Sequence, residues 1–172
     1  MVTMETALPD GWGEFGVAAA GATGALAGLL IVAISVNVKE ILASRVTLRG
    51  AASTVASLVL SLVVALLLLV PQQPLVALGV EVLVVTASAG AVQLRSGSAA
   101  LAVRRTGADG VTGGVFGLIV ALAVVQYLPF GVGAVLLIAE LASGVFLVAA
   151  GVVIVVIAAM VGAWVLLVEV LR

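Results

Sequence analysis

Hydrophobic and polar positions alternate along this chain in long blocks rather than residue by residue. The apolar runs occupy residues 15–38, 51–70, 75–94, 112–139 and 145–170. An α-helix needs about 20 mainly apolar residues to cross the ~30 Å hydrocarbon core of a bilayer. The pattern therefore predicts an all-α, polytopic transmembrane helical bundle with about five spans, in which residues 1–172 form a single transmembrane domain.

The last two spans are predicted from an apolar region that lacks a clear break. Residues 111–172 are almost continuously apolar, which is too long for one span and too short for three spans with proper loops. Two long spans that divide near residues 140–144 fit best. Pro129 lies inside the first of them and must either kink that helix or end it. The sequence leaves both open, and an ending there would make residues 132–141 a re-entrant or interfacial piece.

The positions of the basic residues test the number of spans independently, because cytoplasmic loops are enriched in Lys and Arg. With an external amino terminus and five crossings, the residues on the cytoplasmic side are Lys39, Arg45, Arg49, Arg95, Arg104, Arg105 and Arg172. The residues on the outer side include the acidic Glu5, Asp10, Glu14 and Glu140. This distribution predicts a multi-pass protein of the inner (plasma) membrane of the cell, N-out and C-in.

The composition supports lipid as the surrounding medium. Hydrophobic residues make up 65% of the 172 residues and charged residues 9%, with a mean hydropathy of +1.46. Soluble domains average about 45–50% apolar and 25% charged residues. A water-soluble fold needs a polar coat that so few charges do not supply. The lipid bilayer is therefore the first expected partner.

The chain lacks the residue types that carry most metal and catalytic chemistry. It contains no Cys and no His, so disulfides and cysteine nucleophiles are excluded, and zinc, haem and copper lose their usual ligands. The aspartates are Asp10 and Asp109, in predicted loops on opposite sides. A net charge of -1 leaves no basic patch for nucleic acid. We expect a protein without enzymatic activity, cofactor or metal.

Small residues recur every four positions along two predicted helices and begin to do so on another. The rows are Gly16, Ala20, Gly24 and Gly28 in the first span, Ser53, Ser57, Ser61 and Ala65 in the second, and Gly113 and Gly117 in the fourth. Apolar helices gain no hydrophobic free energy by meeting in lipid, so small residues that allow close approach indicate contact faces. The rows predict either packing within the bundle or an interface of a homo-oligomer.

Glu81 is the main polar candidate inside a span. A carboxylate in hydrocarbon costs roughly 2.5–3.5 kcal/mol on insertion scales, so it is a functional hypothesis by default. Glu81 lies about 10 Å along the third span at a rise of 1.5 Å per residue, in the outer half of the membrane. We expect a neutral carboxyl, hydrogen-bonded to a serine, to Gln126 or to a backbone carbonyl, or else a group that binds a cation or water. Gln126 is the deep polar residue expected to join it in a polar cluster.

Several segments of the chain resemble a known group of proteins. They are residues 8–15 (LPDGWGEF), 25–37 (ALAGLLIVAISVN), 70–74 (VPQQP), 78–81 (LGVE) and 163–172 (AWVLLVEVLR). These segments are similar to those of a family of small actinobacterial integral membrane proteins, largely uncharacterised, some of which carry the label "modulator of FtsH protease". The resemblance implies an actinobacterial inner-membrane protein, and it carries over no catalytic or binding residues.

Three classes of function stay open from the sequence. The first is an accessory or scaffold protein without enzymatic activity, which self-associates or joins a larger membrane complex. The second is a homo-oligomeric channel or transporter with Glu81 in the path, because a pore lined only by Val, Leu and Ala would dewet. The third is a lipid or lipophile binder, with an apolar groove between helices and arginines that meet anionic headgroups.

Overall fold

The computed structural model describes residues 8, 11–43, 45–105 and 113–169. Every regular element in this part of the chain is an α-helix. The helices are α1 (Trp12–Val36), α2 (Val38–Ala43), α3 (Arg45–Leu67), α4 (Leu75–Arg105), α5 (Gly113–Ile138) and α6 (Gly144–Glu169). The predicted all-α class is confirmed for the described residues.

Five of the helices are long and apolar enough to cross a membrane. Their apolar segments are Trp12–Val36, Gly50–Leu67, Leu75–Arg95, Ala121–Ile138 and Gly144–Trp164. These segments match the five apolar runs of the sequence one for one. Large apolar side chains such as Ile31, Leu94 and Val135 are exposed on the outside of the bundle, an arrangement that suits lipid as the surrounding medium.

The long helices form an up-and-down bundle in which sequence neighbours run antiparallel. Gly16, near the start of α1, packs against Leu69, just after the end of α3. Gly133, near the end of α5, packs against Gly144 at the start of α6. α3 contacts α1, α4 and α6, while α6 contacts α1, α3 and α5. The central pair α3 and α6 therefore has α1 on one side and the pair α4 and α5 on the other.

The core is apolar, and glycines bring the backbones close together in it. Leu78, Phe130 and Val148 are fully buried. A Cβ atom built on Gly144 would lie 2.5 Å from the carbonyl oxygen of Gly133, and one built on Gly79 would lie 2.8 Å from a carbonyl oxygen of α5. Close van der Waals contacts of this kind stabilise helix pairs in bundles that lie in lipid, where helices gain no hydrophobic free energy by meeting.

α4 is longer than the third predicted span, which covered residues 75–94. The helix runs for 31 residues to Arg105, about 46 Å at 1.5 Å per residue. Arg104 and Arg105, which lie beyond the predicted third span, are the last residues of α4. Arg95 ends the apolar run but not the helix, since residues 99–102 (AALA) are good helix formers.

The question left open at Pro129 is decided by α5, which continues through the proline as one helix. The helix ends nine residues later, at Ile138, in a Schellman motif. There the Leu141 N–H donates to the Leu136 carbonyl at 2.9 Å, and the Glu140 N–H donates to the Leu137 carbonyl at 3.0 Å. Glu140 takes the left-handed position of this motif, with φ 59°. The predicted division of the long apolar region near residues 140–144 is confirmed.

Candidate functional site

Polar side chains of α3, α4 and α5 meet inside the bundle. Ser53 of α3 donates its hydroxyl hydrogen to Oε1 of Gln93 on α4. One turn along α3, Ser57 donates to Oε1 of Gln126 on α5 at 3.3 Å, and its Oγ lies 3.1 Å from the hydroxyl oxygen of Tyr127. We call these five residues the polar cluster. Its hydrogen bonds join α3, α4 and α5.

A cavity of about 150 Å³ lies beside the polar cluster. The polar part of its wall consists of Ser53, Thr54, Ser57, Gln93 and Gln126, and α5 and α6 supply the apolar part. The cavity has room for several water molecules but is smaller than the ~300–1,000 Å³ of sites for drug-sized ligands. None of its lining residues carries a charge. This arrangement is suited to binding a small ligand rather than to transferring protons.

The polar row of α3 continues one turn deeper than the cavity and then stops. Ser61 follows Ser57 on the same face and is fully buried. Its hydroxyl and that of Thr86 on α4 have no hydrogen-bond partner among the described residues. The next buried side chains, Val64 of α3 and Leu78 of α4, are apolar. The cavity is therefore closed on that side by the apolar core, and the bundle holds no continuous polar path through its described part.

Glu81 lies on the outer surface of α4 and does not join Gln126. Its side chain is exposed and accepts a hydrogen bond from Nε2 of Gln73, just before the helix. Gly79 packs against Ala134 of α5, and Gln126 lies about 12 Å further along that helix at 1.5 Å per residue. The expected cluster of Glu81 with Gln126 is wrong. A path past Glu81 within one bundle has no support in this geometry.

The row of small residues on α1 faces the bundle near the start of the helix and faces outward further along it. Gly16 packs against Leu69, and Ala20 packs against the core. At Gly24 and Gly28, in contrast, a Cβ atom would meet no other atom within 4 Å. Because a helix has 3.6 residues per turn, each step of four residues overshoots a full turn by about 40°. The bundle thus uses only the first half of the predicted row and leaves the second half open.

The serine row of α3 faces inward instead. Ser57, Ser61 and Ala65 are buried, and Ser53 is half-buried. This row packs within the bundle, so it is not available as an interface between copies. The third predicted row begins at Gly113 and Gly117 in α5, and the packing around these glycines lies outside the part of the chain that the structure describes.

The basic residues belong to one end of the bundle, where α1 ends, α3 begins and α4 ends. We call it the basic end. Its described helix positions are Lys39, Arg45, Arg49, Arg95, Arg104 and Arg105, and Arg172 lies outside the described residues. The side chains of Lys39 and Arg95 are exposed.

An apolar groove of about 390 Å³ lies at the basic end, between α1, α2 and α3. Ile34 of α1, Ile41 of α2 and the α3 residues Ala52, Val55 and Ala56 form much of its wall. α2 was not predicted from the sequence, because most of its six residues lie between the first and second apolar runs and include Lys39 and Glu40. The helix completes the groove by adding Ile41, which is buried.

Sequence reasoning missed the polar cluster, although its members carried a signal. The row that contains Ser53 and Ser57 predicts packing between helices, and Gln126 was expected to join Glu81. The available signal was the pairing of deep glutamines with a serine row on another span, since polar groups in lipid need partners on neighbouring helices.

Comparisons with protein-family models, with curated proteins and with solved structures find no match for this chain. No relative therefore assigns a role to the polar cluster, the groove or the open face of α1. Among the described residues, no group of three or more Asp or Glu side chains is placed to hold a metal ion.

Proposed function

We propose that this chain is an accessory or scaffold protein of the plasma membrane, N-out and C-in, that has no enzymatic activity and self-associates through α1. The interface is the outward face of α1 around Gly24 and Gly28. The resemblance to small actinobacterial membrane proteins is in keeping with this role. A homo-oligomer, or a larger complex joined through the same face, is the expected assembly.

One observation carries the proposal, namely the empty space at Gly24 and Gly28 on a peripheral helix. Neither glycine has any atom within 4 Å of its Cβ position, so no helix of the same bundle uses this close-packing surface. Gly21 and Ala25 are exposed beside them. Small residues spaced by four on a lipid-facing helix let a second helix approach until the backbones touch. Lipid chains gain nothing comparable from such a surface.

Replacing Gly24 and Gly28 together by isoleucine should weaken self-association about tenfold or more, which corresponds to ~1.4 kcal/mol. The bulky side chains would hold a second helix away, while the open space at both positions lets the bundle itself fold. Energy transfer between labelled copies in liposomes, as a function of the protein-to-lipid ratio, measures the dissociation constant.

The matched control is Gly90→Ile, because Gly90 of α4 also has no atom within 4 Å of its Cβ position. This variant should associate as the wild type does. Unchanged association of the double α1 variant, or a wild type that stays monomeric at every ratio, contradicts the proposed interface.

Lipid binding is a second candidate function, and the groove at the basic end favours it. The groove is apolar along α1, α2 and α3, and Arg45 and Arg49 belong to the first turns of α3 beside it. An acyl chain in the groove would place an anionic headgroup near these arginines, and each basic residue near a membrane surface contributes about 1 kcal/mol of attraction to anionic lipid.

Filling the groove with Ala56→Leu should reduce the stoichiometric phosphatidylglycerol that stays bound after extraction in mild detergent. Native mass spectrometry measures the lipid-bound fraction, with phosphatidylcholine as the neutral comparison. Ala91→Leu, at an exposed position of α4, is the control and should leave the bound fraction unchanged. Equal retention of both lipids, or no effect of Ala56→Leu, removes the groove as a specific lipid site.

A further inference from the structure

The wall of the cavity beside the polar cluster differs in chemistry from one helix to the next. α3 and α4 contribute only polar side chains to it, those of Ser53, Thr54, Ser57 and Gln93. α6 contributes only apolar side chains, and α5 contributes Gln126 together with two apolar residues. A ligand that fits this wall therefore needs hydrogen-bonding groups on one side and carbon atoms on the other.

The polar part of the wall can both donate and accept hydrogen bonds. The Ser53 hydroxyl donates to Oε1 of Gln93, and the Ser57 hydroxyl donates to Oε1 of Gln126. A side-chain amide has two N–H donors and two acceptor lone pairs, and a hydroxyl oxygen has two lone pairs. These two bonds use only part of that capacity. Hydroxyl groups of a ligand match such a wall, because each of them donates and accepts at one atom.

The absence of charge in the wall indicates an uncharged ligand. None of the residues that line the cavity is acidic or basic. An ion that leaves water for such a site pays a large desolvation cost, which only a charged partner or a dense set of hydrogen bonds offsets. The wall therefore favours neither sign of charge.

The size of the cavity and its apolar part favour a small organic molecule over water alone. A cavity of about 150 Å³ accepts a molecule of the size of benzene. A bound water molecule needs two to four polar partners, and Val155 and Ala159 of α6 supply none. The carbon atoms of an organic ligand, in contrast, gain from contact with these side chains. Leu122 lines the cavity and is also exposed, so the cavity lies next to the bundle surface.

We infer that the cavity between α3, α4, α5 and α6 binds a small uncharged diol or polyol of about three carbon atoms. Its hydroxyl groups contact the side chains of Gln93 and Gln126, and its carbon atoms contact α6. The apolar core around Val64 and Leu78 closes the inner side of the cavity, so one bundle binds the molecule without conducting it. This inference goes beyond self-association and does not depend on it.

The glutamine side chains themselves allow a direct test. The chain has four glutamines, Gln72, Gln73, Gln93 and Gln126. Protein labelled with ¹⁵N-glutamine, in a detergent that carries no hydroxyl groups, gives a separate side-chain N–H signal for each. The signals of Gln93 and Gln126 should shift along a saturable curve as propane-1,2-diol or glycerol is added. Gln72 and Gln73 precede α4 and do not line the cavity, so their signals should show only the small linear change that a cosolvent causes.

Two alanines of α5 provide a matched pair of variants. Ala123 lines the cavity, whereas Ala121 is exposed and does not line it. Ala123→Leu should fill the space and abolish the saturable shift, and Ala121→Leu should keep it. If Ala123→Leu does not fold, Gln126→Met serves instead, because it keeps the shape of the side chain and removes its amide. The loss of one hydrogen bond should weaken binding about threefold to tenfold, measured from the Gln93 signal.

Several outcomes overturn the inference. If the wild type shows no saturable shift at Gln93 and Gln126, the cavity holds water alone. A shift of the same form at all four glutamines is a solvent effect, and a shift that persists in Ala123→Leu arises outside the cavity. A response to sodium chloride but not to the diols makes the cavity an ion site. A response to phosphatidylglycerol but not to the free diols assigns it to a lipid headgroup. Variants of Gly24 and Gly28 should keep the diol response, which separates its failure from failure of the proposed interface.

Discussion

Replacing Gly133 by leucine is expected to lower the free energy of unfolding by about 3 kcal/mol, at the upper end of the usual cost of overpacking. A Cβ atom on this residue of α5 would lie 2.8 Å from the carbonyl oxygen of Gly144 and 3.0 Å from the backbone nitrogen of Val148 on α6. Backbone atoms do not move aside as a flexible side chain does, so the two helices must separate along their contact. Titration with a denaturing detergent, followed by circular dichroism, measures the change.

Gly131→Leu is the matched control for this prediction. Gly131 lies two residues earlier in α5 and has no atom within 4 Å of its Cβ position. The same added side chain therefore meets open space, and stability should stay within about 0.5 kcal/mol of the wild type, as for most surface substitutions. Helix propensity favours leucine over glycine, so equal destabilisation by both variants would contradict the prediction that the contact of α5 with α6 at Gly133 causes the loss.

Truncating Phe130 to alanine is expected to cost about 3 kcal/mol, at the lower end of the usual range for a buried phenylalanine. The side chain is fully buried, and its ring covers Gly151 of α6, where a Cβ atom would lie 2.8 Å from Cε2. The lower end applies because helices that separate within lipid keep their side chains in an apolar medium, so the loss is mainly van der Waals contact. The same detergent titration measures this loss.

The contact of Phe130 with Gly151 allows a second test of the packing between α5 and α6. Gly151→Ala alone should destabilise the protein, because its methyl group would meet the ring. In a Phe130→Leu background the same methyl group should fill space, so that the double variant is more stable than the sum of the single changes. A double-mutant cycle without coupling between these positions would contradict the predicted packing. Phe146→Ala is the control, since Phe146 is 63% exposed and should cost less.

The sequence predicted the row of small residues on α1, but it did not show which of these residues face outward. Gly16 and Gly28 stand in one row with a four-residue spacing, yet Gly16 is buried against α3 and Gly28 faces outward. The buried residues of α1 follow a mixed spacing of three and four, through Ala19, Thr23 and Leu30. The row was visible in the sequence, but the place where it leaves the bundle depends on how α1 is rotated against α3 and α6.

Glu81 and Gln126, the two polar candidates of the sequence, have different surroundings in the structure, and the sequence predicted the neighbours of neither. Gln126 lies in a polar cluster, but with Ser57 and Tyr127 rather than with Glu81. Both residues were recognisable as polar groups within apolar runs. Their partners were not, because a shift of one turn along a helix or a rotation of 100° about its axis exchanges one set of neighbours for another.

The sequence by itself determined the all-α class, the five long apolar helices and the turn near Glu140, because hydropathy and helix length are local properties of each segment. Only the tertiary structure decided that α5 continues through Pro129, that α4 extends to Arg105 and that Ser53 and Ser57 face a cavity. These features depend on the rotation and relative height of neighbouring helices. Steric fit over a few ångströms sets both, and the order of hydrophobic and polar residues along the chain does not record it.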